Sequence, residues 1–147
     1  MKKSKRNTFL IFVGIVILMI IVGYRMYNKP HQNIQDASAV KATSIVLYNT
    51  FSKKEKDSEI YLNKVVEVSG EIKSITKNEQ NQQIILLNTN VSGGSVNCTM
   101  EEKINSVKPG DNIIVKGICS GYIDGDIDMG LPGDVFLIRC YQSTKIN

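Results

Sequence analysis

The chain begins with an uninterrupted apolar stretch. Residues 8–24, TFLIFVGIVILMIIVGY, contain no charged residue, and the preceding MKKSKR is strongly basic. A helix rises 1.5 Å per residue, so a run of this length comes close to the roughly 30 Å of a bilayer's hydrocarbon core. Basic residues before such a run favour a cytoplasmic N-terminus. We therefore predict a cytoplasmic basic tail at residues 1–7, a transmembrane helix at 8–27 and export of the remaining chain.

Two alternatives to this anchor are compatible with the sequence. A helix that is apolar on every face can also be buried in a protein core. The sequence ASA at 37–39 resembles a signal-peptidase site, although it lies well past the apolar run. We expect a single-pass anchor in the cell membrane, and the sequence leaves open whether it is cleaved.

The pattern changes twice after the apolar run. Residues 28–36, NKPHQNIQD, are polar and contain a proline, which is typical of a linker. Apolar positions then recur at three- to four-residue steps, which predicts a helical lead-in at 37–62. From residue 63 the period becomes two, which predicts five strands in a domain at 63–147. The predicted strands are KVVEVSGEI (64–72), QQIILL (82–87), SVNCTM (95–100), NIIVKGICSG (112–121) and VFLIRCY (135–141).

This alternation also predicts which side chains face the core. The predicted inward positions are Val66, Val68, Gly70 and Ile72; Val96, Cys98 and Met100; Ile113, Val115, Gly117 and Cys119; and Phe136, Ile138 and Cys140. Five short strands separated by turn residues favour a closed barrel or a sandwich. The predicted fold class is all-β with N-terminal helices (α+β as a whole): a five-stranded barrel preceded by a helical segment and one transmembrane helix.

A helical lead-in, five strands and an insert between the third and fourth strands resemble an OB-fold. More narrowly, the chain resembles the tRNA_anti-like (tRNA-anticodon-like) family of small bacterial envelope proteins over about residues 60–143. The matching stretches are IYLNKVVEVSGEI (60–72), VNCTM (96–100), KPGDNIIVKGICSG (108–121) and VFLIRCY (135–141). The resemblance implies kinship of fold with anticodon-binding domains and by itself establishes no molecular function.

The charge distribution argues against a nucleic-acid ligand. The first 32 residues carry six basic residues and no acidic one, whereas residues 64–147 carry eight basic and ten acidic residues. Single-strand binding uses a positive groove and aromatic stacking platforms. Residues 82–100, the second and third predicted strands, contain no Phe, Tyr, Trp, Lys or Arg. Nucleic-acid binding therefore stays the alternative rather than the leading hypothesis.

One stretch, GYIDGDIDMG at 121–130, places three carboxylates at alternate positions. With Tyr122, residues Asp124, Asp126 and Asp128 form a candidate ligand-binding set in the connection between the fourth and fifth strands. A calcium loop of the EF-hand type needs glycine at its sixth position and glutamate at its twelfth. Counted from Asp124, those positions hold Met129 and Val135. We predict a solvated acidic connection and no metal or cofactor, with a small-ligand or weak calcium-dependent sensor as a further alternative function.

The three cysteines, Cys98, Cys119 and Cys140, all fall on predicted inward positions. Small buried hydrophobic residues are one interpretation. In an OB-fold the third and fifth strands are neighbours, so a disulfide between Cys98 and Cys140 is the other. A catalytic cysteine needs a base, and residues 63–147 contain no histidine. We therefore predict that the protein is not an enzyme.

These observations lead to one functional hypothesis. The protein is predicted to be a membrane-anchored, non-catalytic OB-fold module, facing the outside of the cytoplasm, that binds another envelope protein or takes part in assembly. The sequence does not specify the ligand, the partner or the oligomeric state.

Overall fold

The computed structural model describes residues 2–27, 33–126 and 128–143. The chain divides after residue 32 into two compact units. The first contains helix α1, Lys2–Tyr27. The described residues of the second unit form one α-helix, one short 3₁₀ helix at Lys56–Ile60 and six strands. These elements are β1 (Val40–Thr43), α2 (Ser44–Ser52), β2 (Val65–Lys77), β3 (Gln83–Asn88), β4 (Ser95–Met100), β5 (Asn112–Ile123) and β6 (Asp134–Gln142).

The membrane predictions require correction. Among the described residues, no helix combines the length and the apolar character needed to cross a membrane. This finding contradicts the predicted transmembrane helix at 8–27, the single-pass membrane localisation and the fold class in so far as it includes that helix.

The five strands β2–β6 form a closed barrel in the order β2-β3-β4-β6-β5, and β5 pairs with β2 to complete it. Strand β2 is long enough to serve two neighbours: its first half pairs with β5 and its second half with β3. Gly70 and a register shift between Ile72 and Ser74 mark the change of partner. Strands β4 and β6 run parallel, whereas the other barrel pairs are antiparallel. The five-stranded barrel itself is therefore as the alternating pattern predicted.

The segment before the barrel differs from the predicted helical lead-in at 37–62. It begins with β1, which pairs in parallel with β2 from Val40↔Val66 to Thr43↔Ser69. Helix α2 follows at once, because the Thr43 hydroxyl accepts a hydrogen bond from the Val46 N–H at 3.2 Å and so caps the helix. The predicted linker at 28–36 lies partly outside the described residues.

The core fills the barrel and is closed at one end by α2. Leu47, Tyr48 and Phe51 of this helix are all at least nine-tenths buried and join the inward residues of the strands in one cluster. The inward positions predicted for β4 and β5, and Val66, Val68 and Ile72 of β2, are buried as expected. Gly70, also predicted to face inward, is only half-buried, and in β6 the predicted inward residues Phe136 and Ile138 are not buried.

Candidate binding surface

The acidic connection between β5 and β6 is a compact turn. The Asp126 Oδ1 atom accepts hydrogen bonds from the N–H groups of Asp128 and Met129, at 3.0 and 3.1 Å. The N–H of Leu131 donates to the Asp126 carbonyl at 2.8 Å. A Cβ on Gly125 would lie 1.8 Å from the Leu131 carbonyl oxygen, so the connection folds this closely only around a glycine. The Asp126 carboxylate thus holds the backbone of its own turn.

The other two predicted carboxylates lie at the surface. Asp124 forms an ion pair with Lys54 at 3.5 Å, and their side chains are 69 % and 75 % exposed. Such exposed pairs contribute little to stability. Asp128 is exposed. In the described part of the chain, no group of three or more His, Cys, Asp or Glu residues is placed to hold a metal ion.

Tyr122, the fourth residue of the predicted set, is engaged in packing. Its ring meets that of Tyr48 edge-on, with centroids 6.0 Å apart and planes at 80°. Both hydroxyls lie against glycines: a Cβ on Gly94 would come within 2.5 Å of the Tyr48 oxygen, and one on Gly133 equally close to that of Tyr122. Tyr122 therefore helps to seal α2 onto the barrel.

A shallow apolar groove lies next to this connection, on the outer face of β5 and β6. It encloses about 300 Å³. Ile123 is 63 % exposed, Ile138 is 42 % exposed and Phe136 is half-buried. The residues lining the groove are Ser120, Gly121, Tyr122, Ile123, Phe136 and Ile138. We call these six residues the β5–β6 groove.

The outward position of Phe136 and Ile138 corrects the predicted inward face of β6. In β6, the residues with no exposed surface are Val135, Leu137 and Cys140. Arg139 adopts φ = 53°, a left-handed conformation, where the register of β4 against β6 shifts between Cys98 and Met100. This bulge inserts one residue, so the inward face passes from odd to even numbers along the strand. The signal available in the sequence was VFLI, four apolar residues in succession rather than alternation.

Gly121 opens the floor of the groove. It pairs with Phe136 across β5 and β6, and its φ of 134° is one that other residues rarely adopt. A Cβ at this position would point toward Leu62, whose Cδ1 would lie 3.5 Å away. Leu62 is itself 39 % exposed, so it extends the apolar surface beyond the groove.

Negative charge borders the groove on the side of the connection. Asp124 follows Ile123 directly, and Ile123 pairs with Asp134. None of the six described lining residues is charged. The surface is thus an uncharged apolar centre with acidic groups at one end.

A second, larger concavity of about 530 Å³ lies at the N-terminus of α2. Its wall is held by internal hydrogen bonding, since the Ser44 hydroxyl donates to the Asn88 carbonyl at 2.6 Å. The side chains that line it are mostly small and polar, with Glu71 as the charged member: Thr43, Ser44, Ile45, Ser69, Gly70, Glu71, Asn88, Thr89 and Asn112.

Several ionisable groups inside the barrel are shifted toward their neutral forms. Burial raises the pKa of the Cys119 thiol to about 11. Burial, followed by the hydrogen bond with Tyr122, raises the pKa of Tyr48 to about 12. The hydrogen bond with Cys98, together with burial, raises the pKa of the Cys140 thiol well above its usual range. These groups stay protonated at neutral pH.

Comparison with known proteins supports the resemblance drawn from the strand pattern. A family model, tRNA_anti-like, matches residues 1–129. No curated protein matches the chain. Among solved structures, a protein described as an aspartyl-tRNA synthetase from Leishmania major Friedlin matches with a TM-score of 0.42 and 9 % identity. That match covers 81 % of this chain and 22 % of the synthetase chain. Because this family model spans residues 1–129 of the 147-residue chain, the chain belongs to the tRNA_anti-like family of OB-fold domains.

Proposed function

We propose that the OB-fold domain is a non-catalytic module that binds a segment of another protein in the β5–β6 groove. The observation that carries this proposal is the outward placement of Ile123, Phe136 and Ile138 on adjacent strands. Single exposed apolar residues are ordinary on protein surfaces, whereas a contiguous apolar groove marks a binding site. A partner side chain inserted there would gain burial without displacing a charge.

The chemistry of the surface also suggests the chemistry of the partner. The groove is apolar, and Asp124 and Asp134 stand at its end. A segment with two or three apolar side chains followed by Lys or Arg would match both features, because opposite charges improve orientation and association rate. We therefore expect the partner to present an apolar segment with a basic flank.

A non-catalytic role is supported by the state of the reactive groups. The thiol is the strongest nucleophile among the side chains of this barrel, and it attacks only as the thiolate. All three thiols are fully buried, and burial raises the pKa of Cys119 to about 11. A thiol in that state does not act as a nucleophile near neutral pH.

Nucleic-acid binding remains the competing proposal, since OB-folds commonly bind oligonucleotides. Phe136 is an outward aromatic residue in the groove and could stack on one base. The surrounding charge opposes it, because Asp124 and Asp134 would repel phosphate. The two proposals therefore predict opposite preferences for a basic peptide and a polyanion.

A selection experiment tests the proposal directly. The full-length protein is immobilised and used to select random peptides displayed on phage, and the enriched peptides are synthesised. We expect them to combine apolar residues with Lys or Arg. We also expect an oligothymidylate at low salt to bind more weakly than the peptides. Tight oligothymidylate binding with no enriched peptide would favour the nucleic-acid alternative instead.

A matched pair of variants locates the site. Ile138→Ser removes an apolar side chain that is 42 % exposed in the groove, and Ile45→Ser removes one that is 45 % exposed beside the concavity at α2. Ile138→Ser should weaken peptide binding by about tenfold, or 1.4 kcal/mol, while Ile45→Ser should leave it unchanged. Equal effects of the two variants would contradict the assignment.

A further inference from the structure

Two of the three cysteines lie on neighbouring, parallel strands of the barrel. Cys98 belongs to β4 and Cys140 to β6, and these two strands are the parallel pair of the barrel. Neither side chain has any exposed surface. Both belong to the core cluster, and in the parallel register Cys98 lies beside Leu137 and Cys140 beside Met100.

The bulge at Arg139 brings the two cysteines together. Cys98 pairs with Leu137, and Met100 pairs with Cys140, so β6 uses two residues where β4 uses one. Without the additional residue, the side chain at position 140 would point outward, because side chains alternate across a strand. The left-handed φ of Arg139 turns the Cys140 side chain into the barrel instead.

The space that the Cys140 sulfur occupies depends on a glycine of β5. A Cβ on Gly117 of β5 would come within 2.5 Å of the Cys140 sulfur. The absence of a side chain at Gly117 therefore leaves the room that this sulfur occupies. Cys119, two residues further on β5, pairs with Leu137, and Leu137 also pairs with Cys98. Leu137 of β6 therefore lies between Cys119 of β5 and Cys98 of β4 across the sheet.

We infer that Cys98 and Cys140 form a disulfide site that links β4 to β6 covalently, and that Cys119 remains a thiol. The sulfurs would approach to a bond of about 2.05 Å, with both side chains already buried on the inner face of adjacent strands. The link would close the barrel at its parallel pair. It concerns the stability of the fold and is independent of the β5–β6 groove.

The chemistry needs an oxidant, and a small-molecule disulfide supplies it. The thiolate of one cysteine attacks the small disulfide, which forms a mixed disulfide and releases one small thiol. The second thiolate attacks the protein sulfur of that mixed disulfide, which forms the Cys98–Cys140 bond and releases the second small thiol. The protein loses two hydrogens, and the small disulfide is reduced to two thiols. Because both thiols are buried in the folded barrel, we place this exchange during folding, before the barrel excludes the oxidant.

The test exploits the positions of the basic residues. The full-length protein is reduced, unfolded and refolded with a small disulfide and its thiol, and free thiols are then alkylated. Trypsin releases each cysteine in a separate peptide, 78–103, 117–139 and 140–145. We expect a mass loss of about 2 Da before alkylation, a linked pair of peptides 78–103 and 140–145 after digestion, and alkylation at Cys119 alone.

Variants provide matched controls. Cys119→Ala should still lose about 2 Da on oxidation, whereas Cys98→Ala and Cys140→Ala should not. The oxidised parent should also melt at a higher temperature than the reduced parent, because the link constrains the unfolded chain. If a variant does not fold, the peptide map of the parent protein alone shows which cysteines are linked. A link that includes Cys119, or no link under these conditions, would overturn the inference.

Discussion

The carboxylate of Asp134 ties the first residue of β6 to the first residue of β4. Its Oδ1 atom accepts a hydrogen bond from the Ser95 N–H at 2.8 Å and another from the Ser95 hydroxyl at 2.7 Å. Ser95 is only 3 % exposed, and the two residues are direct partners in the parallel register. The contact fixes the alignment of the strands that close the barrel, and it lies at the end of the acidic connection beside the β5–β6 groove.

Asp134→Ala should therefore destabilise the barrel. The substitution leaves two donors of Ser95 without their acceptor, and a buried unsatisfied donor costs about 1–3 kcal/mol. Asp128→Ala is the matched control, since Asp128 lies in the same connection and is exposed. The control should change the free energy of unfolding by less than about 0.5 kcal/mol. Urea denaturation measures both, and equal loss in the two variants would contradict the role of Asp134.

Strand parity in β2 is tested by two neighbouring substitutions. Val68 has no exposed surface, while Ser69 lies half-buried on the outer face, opposite Thr43 and Ile114. Val68→Asp should cost several kcal/mol or prevent folding, because it places a carboxylate in the core without a partner. Ser69→Asp should cost less than about 1 kcal/mol. Similar damage from both, measured by circular dichroism and urea denaturation, would mean that the assigned parity is wrong.

The buried hydroxyl of Tyr48 predicts a loss of stability at alkaline pH. Its pKa in the folded protein is about 12, above the usual value of 10.0. The neutral hydroxyl therefore contributes stability that is complete below about pH 10 and disappears as the pH rises through about 12. Urea denaturation of the parent between these pH values should show a steeper decline than that of Tyr48→Phe. Parallel declines would show that Tyr48 ionises in the folded state as freely as in the unfolded chain.

Calcium should not stabilise the domain at micromolar concentration. Asp126 already binds the N–H groups of its own turn, and in the described part of the chain no group of three or more His, Cys, Asp or Glu residues is placed to hold a metal ion. An ion that bound only the folded state would add about 2.7 kcal/mol at a hundredfold excess over its Kd, which raises the melting temperature. We expect no rise at micromolar Ca²⁺ and at most a small one at several millimolar. A micromolar shift that is lost when Asp124, Asp126 and Asp128 are all replaced by Asn would contradict this.

Most of the barrel could be predicted because its strands alternate regularly. The exceptions have physical causes that a local pattern does not contain. Strand β1 is four residues long, and its partner on β2 lies 26 positions further along the chain, at Val40↔Val66. A strand so short carries too few alternations to be distinguished from the start of a helix. Its existence depends on a parallel pairing that forms only once β2 is in place.

The candidate site was harder to predict than the fold. The sequence drew attention to Asp124, Asp126 and Asp128 because carboxylates at regular spacing suggest a ligand, yet a side chain can equally serve its own backbone, as Asp126 does. Two residues of the groove, Phe136 and Ile138, are predicted to face the core, because they share the parity of Cys140. The bulge at Arg139 changes the parity of β6, so Cys140 faces the core while Phe136 and Ile138 face outward. No periodicity argument locates such a bulge, because it depends on how β6 pairs with β4 and β5.

The central claim is that the domain binds its partner in the β5–β6 groove, and amide chemical-shift mapping tests it most directly. A selected peptide is added to the isotope-labelled full-length protein, and shift changes are recorded for each backbone amide. We predict changes concentrated at residues 120–123 and 136–138. We expect little change at Thr43, Ser44 and Gly70, which line the concavity at the N-terminus of α2. Changes confined to that concavity, or spread evenly over the barrel, would contradict the claim.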